Sequence, residues 1–238
     1  MSDLIHSPRL RAEPQPTARI GKSERTRAAI LDAAFRFLWS RPFREMTVNS
    51  LMATTDHSRS AFYQYFSDVH ELMESLVAIL EGEILEIADP WLYGAGDPVA
   101  LLEETLGELV RVCYQRGPFL KAVSDAATAD KRVEAAWSQF LGRFDDAVTA
   151  RIDADQELGL IEPFEPRSLA IALNRLDAYT FIEAFGQRPR GRPEPVQQAV
   201  KRLWVSALYP PKLREKAPTT LARAHATDPE ALAARLQQ

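Results

Sequence analysis

Between Thr47 and Phe66 the sequence TVNSLMATTDHSRSAFYQYF packs two helix starts, two apolar stripes and a turn into one short stretch, and nothing else constrains the chain so tightly. Thr47 is placed to cap a first helix, its hydroxyl taking an orphan backbone N–H of the opening turn. Val48, Leu51 and Met52 then share one helical face. Thr54 to His57 are weak helix formers, and Asp56 is among the few non-glycine types that tolerate the left-handed backbone of a tight turn. Ser58 caps a second short helix, on which Phe62 and Phe66 recur four residues apart and point inward. Arg59, Ser60, Ala61, Tyr63, Gln64 and Tyr65 are left on or near the outer surface. A small, donor-rich face without acids suits the major groove of double-stranded DNA.

The flanking sequence organises around this unit. A helix is expected from about Ser23, its cap, to Ser40, with Ile30, Ala33, Ala34, Phe37 and Leu38 as its buried stripe and Arg41-Pro42 as its end. Asp68 reads as the cap of a long helix that runs to Asp89-Pro90 and leads out of the unit. Further helices are expected over Pro98–Arg116, stopping at Gly117-Pro118, then Phe119 to about Thr128, Asp130–Leu158 closed by Gly159, Arg167–Phe185 and Pro193–Tyr209. No stretch alternates long enough for a strand, so the fold class is all-α with about nine main helices. The division is a flexible basic arm (1–22), a helix-turn-helix unit (23–68), a ligand-binding and dimerisation body (69–211) and a tail (212–238). A short helix capped by Asp228 is expected in the tail.

Charge agrees with this division. The net charge is −4, yet residues 1–66 carry ten lysines and arginines against six acids, while Ser67 to Gln187 is acidic. A basic end on an acidic protein is what local contact with a polyanion requires. The arm reads either as a solvated tail or as an extension in which Arg19, Lys22 and Arg25 add phosphate or minor-groove contacts. The single cysteine, Cys113, excludes an intrachain disulfide and fits a reducing cytoplasm. No run is apolar enough to span a bilayer, and the start lacks the apolar core of a signal peptide, so the expectation is a soluble cytoplasmic protein without membrane contact.

Thr47-Val48-x2-Leu51-Met52-Ala53, then Ser58-Arg59-Ser60-Ala61-Phe62-Tyr63-Gln64-Tyr65-Phe66 and Leu72, resemble the DNA-binding region of the bacterial TetR family of repressors. Ala29-Ile30-Leu31-x-Ala33-Ala34-Phe35-x-Phe37-Leu38 resembles that family's first helix. The resemblance covers roughly Arg25 to Leu72. It departs where Asp56 replaces a turn glycine, His57 an aliphatic residue and Val69 a lysine that often reaches a phosphate. It implies a homodimer on a palindromic operator. From outward position and the family pattern together, Arg59, Ser60 and Gln64 are expected at base edges, and Thr47, Tyr63 and Tyr65 at phosphates.

The last two main helices are apolar over more of their circumference than a surface helix needs. Leu169 and Leu173 on one, and Val196, Val200, Leu203 and Ala207 on the other, are expected at a dimer interface built as a four-helix bundle; an ordinary core is the competing reading for some faces. Asn174 and Asp177 lie three apart on an otherwise apolar helix beside Phe181. Buried polar groups need partners. A ligand beside Tyr114, Trp137, Phe140, Phe144 and Trp204 would supply them, as would neighbouring helices. Trp137-Ser138-x-Phe140-x3-Phe144, Ala172-Leu173-Asn174-x2-Asp177-x2-Thr180 and Leu203-Trp204-Val205-Ser206-x2-Tyr209 resemble the C-terminal domain of the mycobacterial ethionamide-resistance-type repressors. That resemblance implies a narrow aromatic pocket for elongated apolar ligands. Asp177 stands where that group carries asparagine, and in ionised form would favour a cationic or donor group.

Enzyme motifs are missing. There is no Gly-x-Ser-x-Gly elbow, phosphate loop or paired-histidine metal motif, and Gly94-Ala-Gly96 is no dinucleotide fingerprint. His70 beside Glu71 reads as solvated helix surface. No catalytic residue, metal or cofactor is expected. The sequence therefore points to a homodimeric, sequence-specific repressor released from its operator by a small, largely apolar effector. The alternatives are a sequence-indifferent DNA-coating protein and, more remotely, an all-helical enzyme.

Overall fold

A computed structural model describes residues 21–210, and in it eight α-helices and one 3-10 turn follow one another without a strand. They are α1 (Lys22–Ser40), the turn Phe43–Glu45, α2 (Val48–Met52), α3 (Arg59–Phe62), α4 (Val69–Tyr93), α5 (Pro98–Ala127), α6 (Lys131–Glu157), α7 (Pro166–Phe185) and α8 (Pro193–Leu208). The contacts expected of Arg19 and the helix expected at Asp228 lie outside the described residues. No helix among the described residues is long and apolar enough to cross a membrane.

Caps and apolar stripes set the elements. Thr47 accepts the Ser50 N–H at 3.0 Å and Ser58 accepts the Ala61 N–H at 3.2 Å, each holding a first turn. Asp68 accepts from the His70 and Glu71 amides, both at 2.9 Å, and opens α4. Gly159, at φ +70, closes α6 in the left-handed conformation that glycine adopts without strain. The expected α1 stripe is buried, as are Leu51, Phe62 and Phe66.

Several expectations are corrected. α1 starts one residue before Ser23: Gly21 is its N-cap, and Glu24 reaches back to the Gly21 N–H at 3.0 Å. Asp56 is not left-handed, since no described non-glycine residue has positive φ. Hydroxyls build the turn instead. Thr54 donates to the Leu51 carbonyl at 2.7 Å, Thr55 to that of Met52 at 3.0 Å, and the His57 N–H donates to Thr55 at 3.2 Å. His70 is not solvated surface. It is half-buried, lies edge-on to Phe43, and its Nε2 meets Asp130 Oδ2 at 2.6 Å.

Two prolines expected to end helices lie inside them. α4 runs through Pro90 and so extends to Tyr93; α5 runs through Pro118 and joins two expected helices, so the expected nine become eight among the described residues. An interior proline costs about 3 kcal/mol. Trp91 and Leu92 beyond Pro90 are 2% and 3% exposed, and burying a large apolar side chain returns roughly 1.5–3 kcal/mol. Phe119, Leu120 and Val123 offset Pro118 in the same way. Gly117 answers to tertiary packing: a Cβ there would stand 2.3 Å from the Phe185 carbonyl oxygen of α7.

Gly117→Ala should therefore force α5 and α7 apart and cost about 1–3 kcal/mol. Gly142→Ala, in α6 with no atom within 4 Å of the added carbon, should gain about 0.5–1 kcal/mol. Urea unfolding of the two variants should shift the midpoint in opposite directions; shifts of the same sign would contradict the packing role of Gly117.

Candidate nucleic-acid interface and buried cavity

The α2–turn–α3 unit presents the expected face. Thr47, Arg59, Ser60, Tyr63 and Gln64 are exposed, Tyr63 to 60%, while Ala61 and Tyr65 are half-buried. Phe62 and Phe66 anchor the unit from behind with ring centroids 5.6 Å apart. α3 itself is one turn long, and Tyr63 to Tyr65 continue it as turns. Sequence reasoning missed Asn49, whose Oδ1 accepts from Arg59 Nη1 at 2.9 Å and aims the guanidinium along the face. Its signal was an exposed amide in the first turn of an otherwise apolar short helix. Tyr65 is partly committed within the fold, its hydroxyl lying 3.1 Å from Ser23 Oγ of α1. Arginine, glutamine, asparagine and hydroxyl groups on an acid-free ridge match the donor and acceptor pattern of base edges and phosphates.

A second feature lies between α4, α5, α6 and α7: a narrow cavity of about 70 Å³. Trp137, Phe140, Phe144, Asn174, Asp177 and Phe181, all expected there, converge on it. Trp137 stacks on Phe140 at 5.0 Å, and Phe144 meets Phe140 edge-on at 5.0 Å. Ile84, Leu109, Cys113 and Leu120 add the α4 and α5 side of the wall, whose faces could not be told from local spacing alone. Two expectations are corrected. Tyr114 packs against Phe185 and beneath Arg190, outside the cavity. Trp204 stands behind the wall and donates its indole N–H to Asp177 Oδ2 at 3.0 Å.

Asn174 and Asp177 do not act as a matched pair. The Asn174 amide donates to Asp145 Oδ1 at 3.0 Å, and Asp145, 2% exposed, is ion-paired with Arg175 at 2.8 Å. Asp177 is 5% exposed and has no ion pair among the described residues. Its Oδ1 has no hydrogen-bond partner among the described residues. Burial pushes its carboxyl up to about 7, against the smaller opposing effect of the Trp204 hydrogen bond.

Beyond Trp204 lies a buried polar cluster that the sequence reading overlooked. Asp155 pairs with Arg151 at 2.9 Å and accepts from the Tyr209 hydroxyl, while Arg151 donates to the Trp91 carbonyl at 2.6 Å. Trp91 meets Trp204 edge-on at 5.8 Å. An Arg and an Asp four apart on an apolar helix face were the available signal.

The outer face of α7 and α8 carries Leu203 at 45%, Tyr179 at 78% and Ile171 at 36% exposure, with Ala207 also exposed. Leu169 and Val196 are half-buried. Leu173 and Val200 are corrected as interface residues: at 5% and 1% exposure they belong to the chain's own core. Ile171 and Tyr179 replace them on the open face.

Residues 102–210 match the family model described as the C-terminal domain of the transcriptional regulator EthR. The HTH-type transcriptional regulator EthR of Mycobacterium tuberculosis is 29% identical over 201 residues, spanning 81% of this chain and 91% of that protein. Its Mycolicibacterium smegmatis counterpart is 25% identical over 189 residues, spanning 76% and 85%. These relatives are transcriptional regulators, not enzymes. Among solved structures, SmeT, the repressor of the Stenotrophomonas maltophilia multidrug efflux pump SmeDEF, superposes with a TM-score of 0.65 at 16% identity, covering 80% of this chain and 94% of SmeT. Salmonella enterica GusR gives 0.66 at 16% identity, covering 80% and 98%. Both share the fold.

The raised carboxyl of Asp177 has a consequence for stability. The folded state holds its proton to about pH 7, whereas an unfolded aspartate releases it near 3.9. The stabilisation is therefore full below about pH 4 and is lost as pH rises towards 7. Asp177→Asn keeps the shape and removes the titration. Its stability relative to the unaltered protein should climb between pH 4 and 7 and level off above. Urea unfolding across that range checks this, and a difference that does not change with pH would refute it.

Proposed function

We propose that this chain, whose residues 102–210 resemble the C-terminal domain of EthR, is a TetR-family transcriptional regulator that acts as a homodimer, represses from a palindromic operator and is released by a small, largely apolar effector. The observation that carries this reading is the acid-free outer face of α2 and α3, with Arg59 braced by Asn49. In this reading Arg59, Ser60 and Gln64 meet base edges, and Thr47 and Tyr63 meet phosphates. Tyr65 contributes through whichever lone pair Ser23 leaves it.

The effector reading rests on the cavity and on its size. Sites for drug-sized ligands run to about 300–1,000 Å³, far above the 70 Å³ seen here. An elongated effector must therefore part the walls. One of those walls is α4, which begins beside α1 and the Phe43 turn and ends beneath Trp204. A ligand that binds the parted state better than the closed one shifts the population of α4 positions, and with it the spacing of two recognition helices across a dimer. The dimer itself is assigned to the open face of Ile171, Tyr179, Leu203 and Ala207.

Selection of bound sequences from random DNA should return a palindrome. On that sequence Arg59→Ala should cost about 1–3 kcal/mol and relax preference at one position, whereas Tyr63→Ala should weaken specific and random DNA alike. Equal losses on both DNAs for both variants would favour a sequence-indifferent binder. Leu203→Glu should convert a dimer to monomer in sedimentation at micromolar concentration; a monomer before any substitution would remove the dimer from this reading.

A further inference from the structure

Among the described residues three carboxylates are buried, and two are neutralised within the fold: Asp145 by Arg175 and Asp155 by Arg151. Asp177 is the exception. Its Oδ2 is held by the Trp204 indole, its Oδ1 has no partner among the described residues, and the residue lines the cavity. An uncompensated buried carboxylate is costly, and a positively charged donor relieves that cost better than a neutral one.

The surroundings leave that role open. Facing Asp177 across the cavity are Ile84 from α4, Leu109, Cys113 and Leu120 from α5, and the Trp137–Phe140–Phe144 aromatics from α6. Asn174 and Phe181 lie on its own helix, and Trp204 backs it from α8. None carries positive charge. Cys113 is the other titratable lining group; burial, reinforced by Asp177, pushes its thiol far up and keeps it neutral. The neighbouring Arg116 is paired with Glu83 at 2.6 Å. The aromatic faces accept both an apolar chain and, at close range, a cation.

We infer that the cavity is specific for ammonium ligands: an elongated alkyl or aryl-alkyl amine binds with its charged head on Asp177 Oδ1 and its apolar body along Trp137, Phe140 and Phe144. This rests on the cavity being the effector site, and it names the chemical class that the site takes. Trp204 holds the carboxylate in register, so the free oxygen is oriented before the ligand arrives. A fatty acid places a second negative charge in the same apolar space and is rejected. A neutral alcohol gains the apolar contacts without meeting the charge.

The test uses n-octylamine, n-octanol and octanoate on the full chain, read by calorimetry and by melting temperature. A lysine-like amine, with a pKa of about 10, stays charged throughout. At pH 8.5 octylamine should bind at least tenfold more tightly than octanol, and octanoate should not bind. Below about pH 7, where Asp177 carries its proton, the ammonium must displace that proton. Octylamine affinity should then fall about tenfold per pH unit, and calorimetry in two buffers of different ionisation enthalpy should detect one proton released. Asp177→Asn should erase both the preference for amine and the pH dependence while still binding octanol. Equal affinity of the unaltered protein for amine and alcohol, or an amine preference that survives in Asp177→Asn, would overturn the ammonium assignment and leave the cavity as a site for neutral ligands. If none of the three compounds binds, the effector reading of the cavity falls with it. The proton-release measurement needs no variant, so a folding defect in Asp177→Asn does not blunt the test.

Discussion

One apolar stripe on α4 runs from the edge of the DNA-reading unit through the larger helical body. Leu72, Leu76, Leu80 and Ile84 are each under a tenth exposed, and the stripe continues to Trp91 beyond the proline. At roughly 1.5–3 kcal/mol per buried side chain, the stripe exceeds any ion pair in the protein. It also explains why Pro90 does not end the helix: stopping there would have stranded Trp91 and Leu92 away from the core. The cavity, the buried polar cluster and the approach to α1 are all measured from this helix.

Against that apolar frame, the treatment of buried charge is selective. Asp145 and Asp155 are each matched by an arginine, and Asp155 also takes the Tyr209 hydroxyl. Such groups are costly if left alone and contribute specificity rather than net stability when paired. Asp177 receives only an indole N–H. Among the described residues that leaves one buried carboxylate oxygen unanswered by the fold, in the wall of a narrow cavity lined otherwise by apolar groups and one amide.

Local chemistry was legible in the sequence and tertiary decisions were not. The Thr47, Ser58 and Asp68 caps, the α1 stripe and the inward Phe62 and Phe66 were readable because each depends on residues within one or two helical turns. The aromatic and polar lining from Trp137 to Phe181 was readable because helical spacing puts it on two faces. Pro90, Pro118 and Gly117 misled because their helices are decided by burial against distant elements. Asp56 misled because threonine hydroxyls built the turn that a left-handed residue was expected to make. Leu173 and Val200 were assigned to a partner because sequence shows how wide an apolar face is, not which half the chain itself covers. His70 needed Asp130, sixty residues away, to become structural.

The joint between the DNA-reading unit and the body includes several contacts that are individually weak, and its composition says how it can be moved. Phe35 of α1 lies edge-on to Phe119 at 4.9 Å, with Arg116 over its other side at 4.6 Å. Trp39, at the end of α1, has Arg188 and Arg190 from the α7–α8 loop over its ring at 5.6 and 5.2 Å. His70 and Arg132 add polar contacts to Asp130, Asp68 and Glu74. Half-exposed ion pairs contribute little, and cation–π contacts at such sites about 0.5–1 kcal/mol each. Allosteric couplings of about 1–3 kcal/mol are of the same size. A differential binding energy no larger than that, applied to α4, suffices to exchange one set of these contacts for another. Breaking the α4 stripe itself would cost several times more, so in the proposed release α4 would move as a rod and the joint would absorb the movement.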